Sequence, residues 1–316
     1  MKKLITIVLA LALVAAAAFA CAEPYRVGVI QQMQHVALDA ATQGFMDKLT
    51  ELVGEGNVEF DVQNASGEPA NCATIANKFV SEDVDLIMAN ATYALQAAVD
   101  ATGDIPILAT SITDYATALG ASEWTGVTGI NLSGTCDLAP LDGQAEMIKE
   151  LVPDAQKVGL IYCSAEPNSK YQVDTIRGYL EEMGYTCTDF AFADSNDLAS
   201  VTQTAADNSD VLYIPTDNTA ASYTETVANV VIPSGKPVVA GEEGICKGCG
   251  VGTLTISYYD IGVATGEMAY EVLVNGADVS AMPVQSAAQF TKKYNPVNAA
   301  ELGIEIPADY EAIDME

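Results

Sequence analysis

The chain has 316 residues, half of them apolar, and a formal net charge of −30. That length holds two α/β lobes of ordinary size, and that apolar content excludes overall disorder. A surface so acidic repels nucleic acid and anionic membranes, so neither is expected as a partner.

Lys2 and Lys3 precede an unbroken apolar and small run, Leu4 to Ala20, and then Cys21. This predicts an export signal over residues 1–20, with an uncleaved anchor as the alternative. Ala18-Phe-Ala-Cys21 is similar to a bacterial lipoprotein box, which implies a lipidated Cys21 as the mature N-terminus. Plain cleavage near Ala20 or Ala22 is the other outcome. The leader carries two lysines and no acid, so its removal makes the chain more acidic still. Cys72, Cys136, Cys163, Cys187, Cys246 and Cys249 remain, an even number that permits disulfides or leaves buried free thiols. Cys163 and Cys187 are expected on neighbouring strands.

Beyond the leader, Tyr25 to Ile30 is a short apolar run and the first expected strand. Gln31 to Val36 is a polar loop. Ala37 to Val53 carries Ala37, Ala41, Phe45, Leu49 and Leu52 at helical spacing and ends at Gly54 and Gly56. Val58 to Val62 alternates as a strand, Asn64 to Pro69 turns, and Ala70 to Val80 is a helix. Strands are predicted at Val84 to Met88, Ile105 to Ala109 and Val127 to Ile130, with a helix at Tyr93 to Ala101. Asn131 to Pro140 is polar and reads as a crossing between lobes.

The rhythm then restarts. Strands are expected at Gln156 to Tyr162, Tyr185 to Phe192, Val211 to Ile214 and Lys236 to Ala240. Helices are expected at Tyr171 to Met183, Leu198 to Ala206 and Ala220 to Val230. Three segments recur in order. Tyr25-Arg-Val-Gly-Val-Ile30 is echoed from Gln156, and Asp104-Ile-Pro-Ile-Leu-Ala109 by Lys236-Pro-Val-Val-Ala240, both at an offset of 131 residues. Asp85-Leu-Ile-Met-Ala-Asn-Ala-Thr92 is echoed by Asp210-Val-Leu-Tyr-Ile-Pro-Thr-Asp-Asn-Thr219 at an offset of 125. Ordered repetition predicts an α/β fold of two similar doubly wound lobes with parallel sheets.

Gly250 to Ser257 is apolar and β-branched, and Tyr258 to Leu273 reads as a helix beginning near Asp260, whose Gly262 and Gly266 permit close packing. A strand in Pro283 to Phe290 and a short helix in Pro296 to Leu302 have no place in the repeat, so this segment crosses back. The expected lobes are 24–133 with 258–284, and 138–255 with 290–310. The hinge crossings fall near 131–140, 253–258 and 284–292.

Conventional catalysis finds little support. His35 is the single histidine, and G-x-S-x-G and P-loop patterns are missing. Gly28 opens no dinucleotide fingerprint, so no cofactor is expected. Cys246-Lys-Gly-Cys249 lacks a second ligand pair and reads as a disulfide or two thiols in a Gly-rich loop, not as a metal site.

What remains is a set of polar residues at strand ends. The first half offers His35, Asp39, Asn90, Thr92, Ser111, Thr113 and Asp114; the second offers Ser164, Asn168, Thr216, Asp217, Asn218, Glu242 and Glu243. Asp137 and Thr135 belong to one crossing, and Tyr258, Tyr259 and Asp260 lie near the next. Each alone could be a helix cap or turn residue. Gathered on one sheet edge, they point to a ligand cleft. Asp39, Asp114, Asp137, Asp217 and Glu242 would accept from an ammonium group. Helix-start N–H groups with Ser and Thr hydroxyls would hold a carboxylate. Tyr93, Tyr115, Tyr162, Tyr213 and Tyr258 would supply flat walls. A small zwitterion with an apolar side chain fits this inventory better than a polyanion, because Lys170 is the one base at the tips.

These segments also resemble a known family. They are His35-x-Ala-Leu-Asp39, Ala89-Asn-Ala-Thr92, Thr110-Ser-Ile-Thr-Asp114, and Val127-Thr-Gly-Ile130 leading to Asp137-Leu-Ala-Pro140. In the second half they are Tyr162 with Pro167-Asn-Ser169, Ile214-Pro-Thr-Asp-Asn-Thr219, Glu242-Glu-Gly244 and Tyr258-Tyr-Asp-Ile-Gly262. In that order they resemble the substrate-binding lipoproteins of ABC importers, tryptophan/tyrosine type, over nearly all of residues 25–285.

The resemblance implies a type I periplasmic-binding fold and a monomer outside the cytoplasm, lipid-anchored or periplasmic. It implies a small amino-acid-like solute, with aromatic amino acids the substrate class of relatives, and ABC permease subunits as partners. The implied contacts are His35, Asp39, Asn90, Thr92, Thr113, Asp114, Asp137, Thr216, Asp217, Asn218, Glu242 and Asp260. Cys136 and Asn90 depart from the residues usual in that family. A ligand sensor of the same fold and a secreted α/β hydrolase are the alternatives; the latter needs a nucleophile–base pair.

Overall fold

The computed structural model describes residues 23–315. The leader and Cys21 lie outside them. The first run of elements is β1 (Tyr25–Gln31), α1 (Val36–Val53), β2 (Val58–Asn64), α2 (Pro69–Ser81), β3 (Leu86–Asn90), α3 (Thr92–Ala101), β4 (Ile107–Ile112), α4 (Tyr115–Leu119) and β5 (Leu132–Cys136). The second is α5 (Leu141–Leu151), β6 (Lys157–Cys163), α6 (Pro167–Glu182), β7 (Thr186–Phe192), α7 (Leu198–Asn208), β8 (Val211–Ile214), α8 (Asn218–Ser222), α9 (Thr224–Val231), β9 (Val238–Ala240), α10 (Glu243–Cys249) and β10 (Gly252–Thr255). Then come α11 (Tyr258–Leu273), β11 (Gln285–Ser286), β12 (Thr291–Tyr294), α12 (Pro296–Leu302) and β13 (Glu311–Ala312).

The strands form two sheets, ordered β11-β5-β4-β3-β1-β2 and β13-β12-β10-β9-β8-β6-β7. Pairing is parallel except where β12 runs antiparallel to β10. The repeated segments take equivalent places. Asp85 accepts from the Arg26 backbone N–H at 2.7 Å, and Asp210 accepts from the Gln156 and Lys157 N–H groups, each at 2.9 Å. The carbonyls of Pro106 and Pro237 accept from Ile87 and Leu212, both at 3.0 Å. In each half, one Asp ties the start of the central strand to its neighbour.

Both faces of each sheet are covered, as parallel strands require. Ile87 packs with Phe79 and Leu95 on one face of β3, and the next residue, Met88, packs with Phe45 and Leu49 on the other. Leu212 and Tyr213 divide in the same way between the two cores of the second sheet. Each such fully buried side chain contributes about 1.5–3 kcal/mol.

The chain passes between the sheets three times: from β5 to α5, from β10 to α11, and from β11 to β12. The last two crossings enclose α11, which returns to the first sheet and lies against α1. Three glycines allow that approach. A Cβ on Gly262 would sit 2.1 Å from the Ala41 carbonyl oxygen, one on Gly44 2.1 Å from that of Tyr259, and one on Gly266 2.8 Å from that of Phe45.

Several expectations need correction. Val127 to Ile130 is irregular, and the strand is Leu132–Cys136, inside the stretch read as a crossing. Gly126 and Gly129 take positive φ, which breaks extended pairing, and Ile130 is 40% exposed. The expected helix from Ala220 to Val230 is two helices that meet at Tyr223. Cys246 and Cys249 lie on α10, one turn apart and fully buried, not in a loop. α4 and α5 were not foreseen, although α5 buries one clean stripe, Leu141, Ala145, Ile148 and Leu151. Cys163 and Cys187 do lie on adjacent strands, but Cys163 pairs with Phe192 and Cys187 with Val158. That offset is too long for a disulfide, and all six described cysteines are free.

Gly262→Val should lower the unfolding free energy by about 1–3 kcal/mol, because the added atoms would meet the Ala41 backbone of α1. Urea unfolding followed by circular dichroism tests this, and an unchanged midpoint refutes the glycine contact.

Candidate functional site

The carboxyl ends of both sheets face each other, and the polar tips meet there. His35 and Leu38 follow β1, and Ser111 and Thr113 lie at the end of β4. From the second sheet come Asn168 at the start of α6, Thr216 to Asn218 after β8, Ala221 on α8, and Glu242 after β9. Asp137 and Tyr258 close the back, each on a crossing.

Direct contacts bridge the two sides. His35 Nε2 lies 3.2 Å from Asn218 Oδ1, and Thr113 Oγ1 lies 3.4 Å from Thr216 Oγ1. Tyr93 donates its hydroxyl proton to the Ala165 carbonyl, and Ser222 donates to that of Gln34. The cleft is closed.

Four carboxylates are buried around it: Asp137, Glu166, Asp217 and Glu242. A buried charge must be compensated, and backbone N–H groups supply most of the compensation. Asp217 Oδ1 accepts from Ala220 N at 2.8 Å, and Oδ2 from Cys163 N at 2.7 Å. Glu242 accepts from Gly244 N and Ile245 N at the start of α10. Glu166 Oε2 accepts from Asn218 N at 3.0 Å and Nδ2 at 2.7 Å, and its Oε1 from Thr219 N at 2.9 Å and Oγ1 at 2.8 Å.

Burial, then the adjacent charge of Glu166, push the Asp217 carboxyl up. Burial pushes Glu242 up to about 7, against its two N–H donors. Burial also raises Asp137, opposed by donation from Tyr258 and by the neighbouring Thr113 hydroxyl, and lowers His35, opposed by its bond to Asn218.

Three polar atoms of the cavity have no hydrogen-bond partner: Ser111 Oγ, Asp137 Oδ1 and Asn168 Oδ1. Asp137 Oδ2 is occupied by the Tyr258 hydroxyl at 2.8 Å. Asn168 turns its Nδ2 to Glu166 Oε2 and the Thr216 carbonyl, both acceptors, so its Oδ1 is the atom left over. Ser111 has φ 57°, and β4 loses register with β5 between Ala109 and Ile112. Such a bulge, with a non-glycine residue at positive φ, re-aims a side chain at a cost of about 1–3 kcal/mol.

Of the residues singled out in the sequence, His35, Ser111, Thr113, Asp137, Asn168, Thr216, Asp217, Asn218 and Glu242 line the cavity. Asp39 and Asp260 are exposed and do not. Asp39 holds Gln31 Nε2 at 2.6 Å. Asn90 is buried behind the cleft, where it donates to the Leu38 carbonyl and to Thr42. Thr92 opens α3 outside the cavity lining, and Asp114 caps α4 through Thr117 N. Of the five tyrosines expected as walls, Tyr258 alone lines the cavity. Tyr162 and Tyr213 are core residues, Tyr115 stacks on Trp124, and Tyr93 bridges at the edge. Glu166 escaped the sequence reading. Its signal was an acid directly before Pro167, at the cap position of a helix with proline in the first turn.

Comparison with known proteins agrees with this geometry. Residues 26–313 match the family described as ABC transporter substrate binding protein. The chain is 36% identical over 260 residues to a tyrosine-binding protein of Clostridioides difficile (strain R20291), covering 82% of this chain and 75% of that one. An ABC domain from Streptococcus pneumonia in complex with L-Trp superposes with a TM-score of 0.86 at 33% identity, over 90% of this chain and 96% of that one. The ligand-free, open structure of a Clostridium difficile substrate-binding protein with adhesive properties gives 0.70 at 34% identity, over 92% and 100%.

Glu242 keeps its proton to about pH 7 in the folded chain, against an ordinary value of 4.5. The stability tied to that proton is fully present below pH 4.5 and is lost as pH rises through about 7. The stability difference between the native chain and Glu242→Gln should therefore fall across this window, by at most about 3 kcal/mol. Taking the difference cancels the opposing contribution of His35. Urea unfolding at a series of pH values measures it, and a flat difference contradicts the buried, protonated Glu242.

Proposed function

The chain belongs to the family of ABC transporter substrate-binding proteins, and on that premise we propose that it captures a small amino acid, aromatic by preference, between two hinged lobes outside the cytoplasm. The observation that carries this reading is the convergence of Asp137 Oδ1, Asn168 Oδ1 and Ser111 Oγ, each without a partner, on one closed cavity. An ammonium group offers three protons in a compact head, and Asp137 supplies the negative charge opposite it. The paired hydroxyls of Thr113 and Thr216 are donors for the carboxylate. A relative named for binding tyrosine and one bound to L-Trp support the aromatic preference.

Binding proceeds without turnover. The three crossings act as the hinge, and the lobes close over the solute. At nearly equal identity, the chain fits the L-Trp complex better than the ligand-free open relative, which supports closure as the bound form. A ligand favours that form only by its extra affinity for it. Asp137 lies on the first crossing and Tyr258 on the second, so a ligand held by Asp137 acts directly on the hinge. The closed form then presents its solute to permease subunits in the membrane. We assign residues 1–20 to an export signal and Cys21 to lipid attachment, on the pattern of the leader.

Calorimetric titration of the purified protein should give saturable heat with L-tyrosine or L-tryptophan. Asp137→Asn should weaken that binding about 10–100-fold, the size of a lost charge-assisted hydrogen bond. A silent amino-acid panel together with a sugar or nucleoside response refutes the ligand class.

A further inference from the structure

Behind the first-lobe wall of the cleft runs a buried chain of hydrogen bonds. Asn90, the last residue of β3, is fully buried and pairs in register with Gln31 at the end of β1. Its Nδ2 donates to the Leu38 carbonyl at 2.8 Å and to Thr42 Oγ1 at 2.9 Å. Thr42 donates to Gln31 Oε1 at 2.7 Å. Gln31 Nε2 donates to Asp39 Oδ1 at 2.6 Å and to the Met33 carbonyl at 3.0 Å.

Each link has one direction. The Asp39 carboxylate and the Met33 carbonyl only accept, so the Gln31 nitrogen faces them. Gln31 then turns its oxygen to Thr42, whose single proton goes there, and Thr42 is left to accept from Asn90. The Asn90 amide is thereby fixed with its nitrogen toward α1 and its Oδ1 toward no donor. An apolar residue at this position would avoid the unpaired oxygen but would donate nothing. What the chain of bonds holds is the first turn of α1. His35 stands at the N-cap position and makes no side-chain cap bond. The turn is held from behind instead: the Asn90 carbonyl accepts from Gln32 N at 3.1 Å, its side chain holds Leu38, and Asp39 N donates to the His35 carbonyl at 3.0 Å. His35 and Leu38 line the cavity, while Asn90, Thr42 and Gln31 do not.

We propose that Asn90 is a positioning residue for solute binding. With Thr42 and Gln31 it fixes the first turn of α1, and so the place of His35 and Leu38 in the cavity wall, without touching the solute. This rests on the reading of the cavity as a solute site. The anchor is rigid, because β3 lies inside the first sheet between β4 and β1. Bonds shielded from water in this way also hold their geometry more firmly than exposed ones.

The test uses the tag-free chain, in which His35 is the single histidine and its imidazole signal in proton NMR reports on the wall directly. Asn90→Ala removes the donor, Thr42→Val removes the hydroxyl at constant shape, and Thr42→Ser returns it. Thr202→Val is the control, since Thr202 is also buried and its hydroxyl, on α7, has no partner. Asn90→Ala and Thr42→Val should shift the His35 signal and weaken L-tyrosine or L-tryptophan binding about tenfold in calorimetric titration. Thr42→Ser should restore both, and Thr202→Val should leave both as in the native chain. A native His35 signal or native affinity in both Asn90→Ala and Thr42→Val, or an equal loss in Thr202→Val, overturns the positioning role while the solute-binding reading stands. Should Asn90→Ala fail to unfold cooperatively in urea, the two Thr42 variants decide alone. If the native chain gives no heat with either amino acid, the proposed ligand class falls, and the His35 signal still decides whether Asn90 positions the wall.

Discussion

Buried carboxylates set the terms for this structure. Asp137, Glu166, Asp217 and Glu242 are all drawn out of water where the two sheet edges meet. Each must be compensated or protonated. Three of the four are compensated by the chain itself. Asp217 caps α8 and also reaches the end of β6 through Cys163 N, which ties two neighbouring strand ends together. Glu242 caps α10. Glu166 gathers Asn218 and Thr219 against the start of α6. The second-sheet wall of the cleft is thus held by its own acids. Asp137 differs, because one of its oxygens has no donor. The same residue type serves two ends, and the number of available N–H groups separates them.

That division leaves one acidic acceptor open where the proposed ammonium head would sit. The structural acids have spent their acceptors, and two of them are pushed toward the protonated form by burial. Burial raises Asp137 as well, and what distinguishes it is the oxygen left without a donor, the acceptor the proposed ligand would use. Its other oxygen is bound to Tyr258, so this carboxyl sits at the join of two crossings. On the proposed reading, a ligand held by Asp137 would be coupled to the second crossing through this hydrogen bond. The close packing of α11 on α1 supplies the rigid base, since Tyr258 opens the helix that Gly262 and Gly266 seat on the first sheet.

Much of this was legible in the residues. The repeat at offsets of 131 and 125 foretold two sheets of like order, and the Asp85 and Asp210 ties show why the repeat carries that information. Gly262 and Gly266 were readable as packing glycines, because a glycine pair four apart marks one helix face. Polar residues after apolar strands located the cleft, since parallel strands direct their carboxyl ends to one edge. Local readings failed where short segments were involved. Val127 to Ile130 has strand composition but follows Gly126 and contains Gly129, both at positive φ, while Leu132 to Cys136, with Gly134 in its middle, forms the strand.

The sequence by itself determined the class of fold, the repeat and the set of polar tips, because hydrophobic period and turn chemistry are local and survive without partners. It could not say which tips are caps and which face a ligand, since Asp and Asn serve both ends equally well. Tertiary structure decided that. It used both oxygens of Asp217 within the protein, left one of Asp137 open, turned Asp39 and Asp260 to solvent, and moved four of the five tyrosines out of the cavity. The physical reason is that a side chain's role depends on how many donors surround it after folding, and donors such as Cys163 N for Asp217 and Asn218 N for Glu166 come from more than 50 positions away.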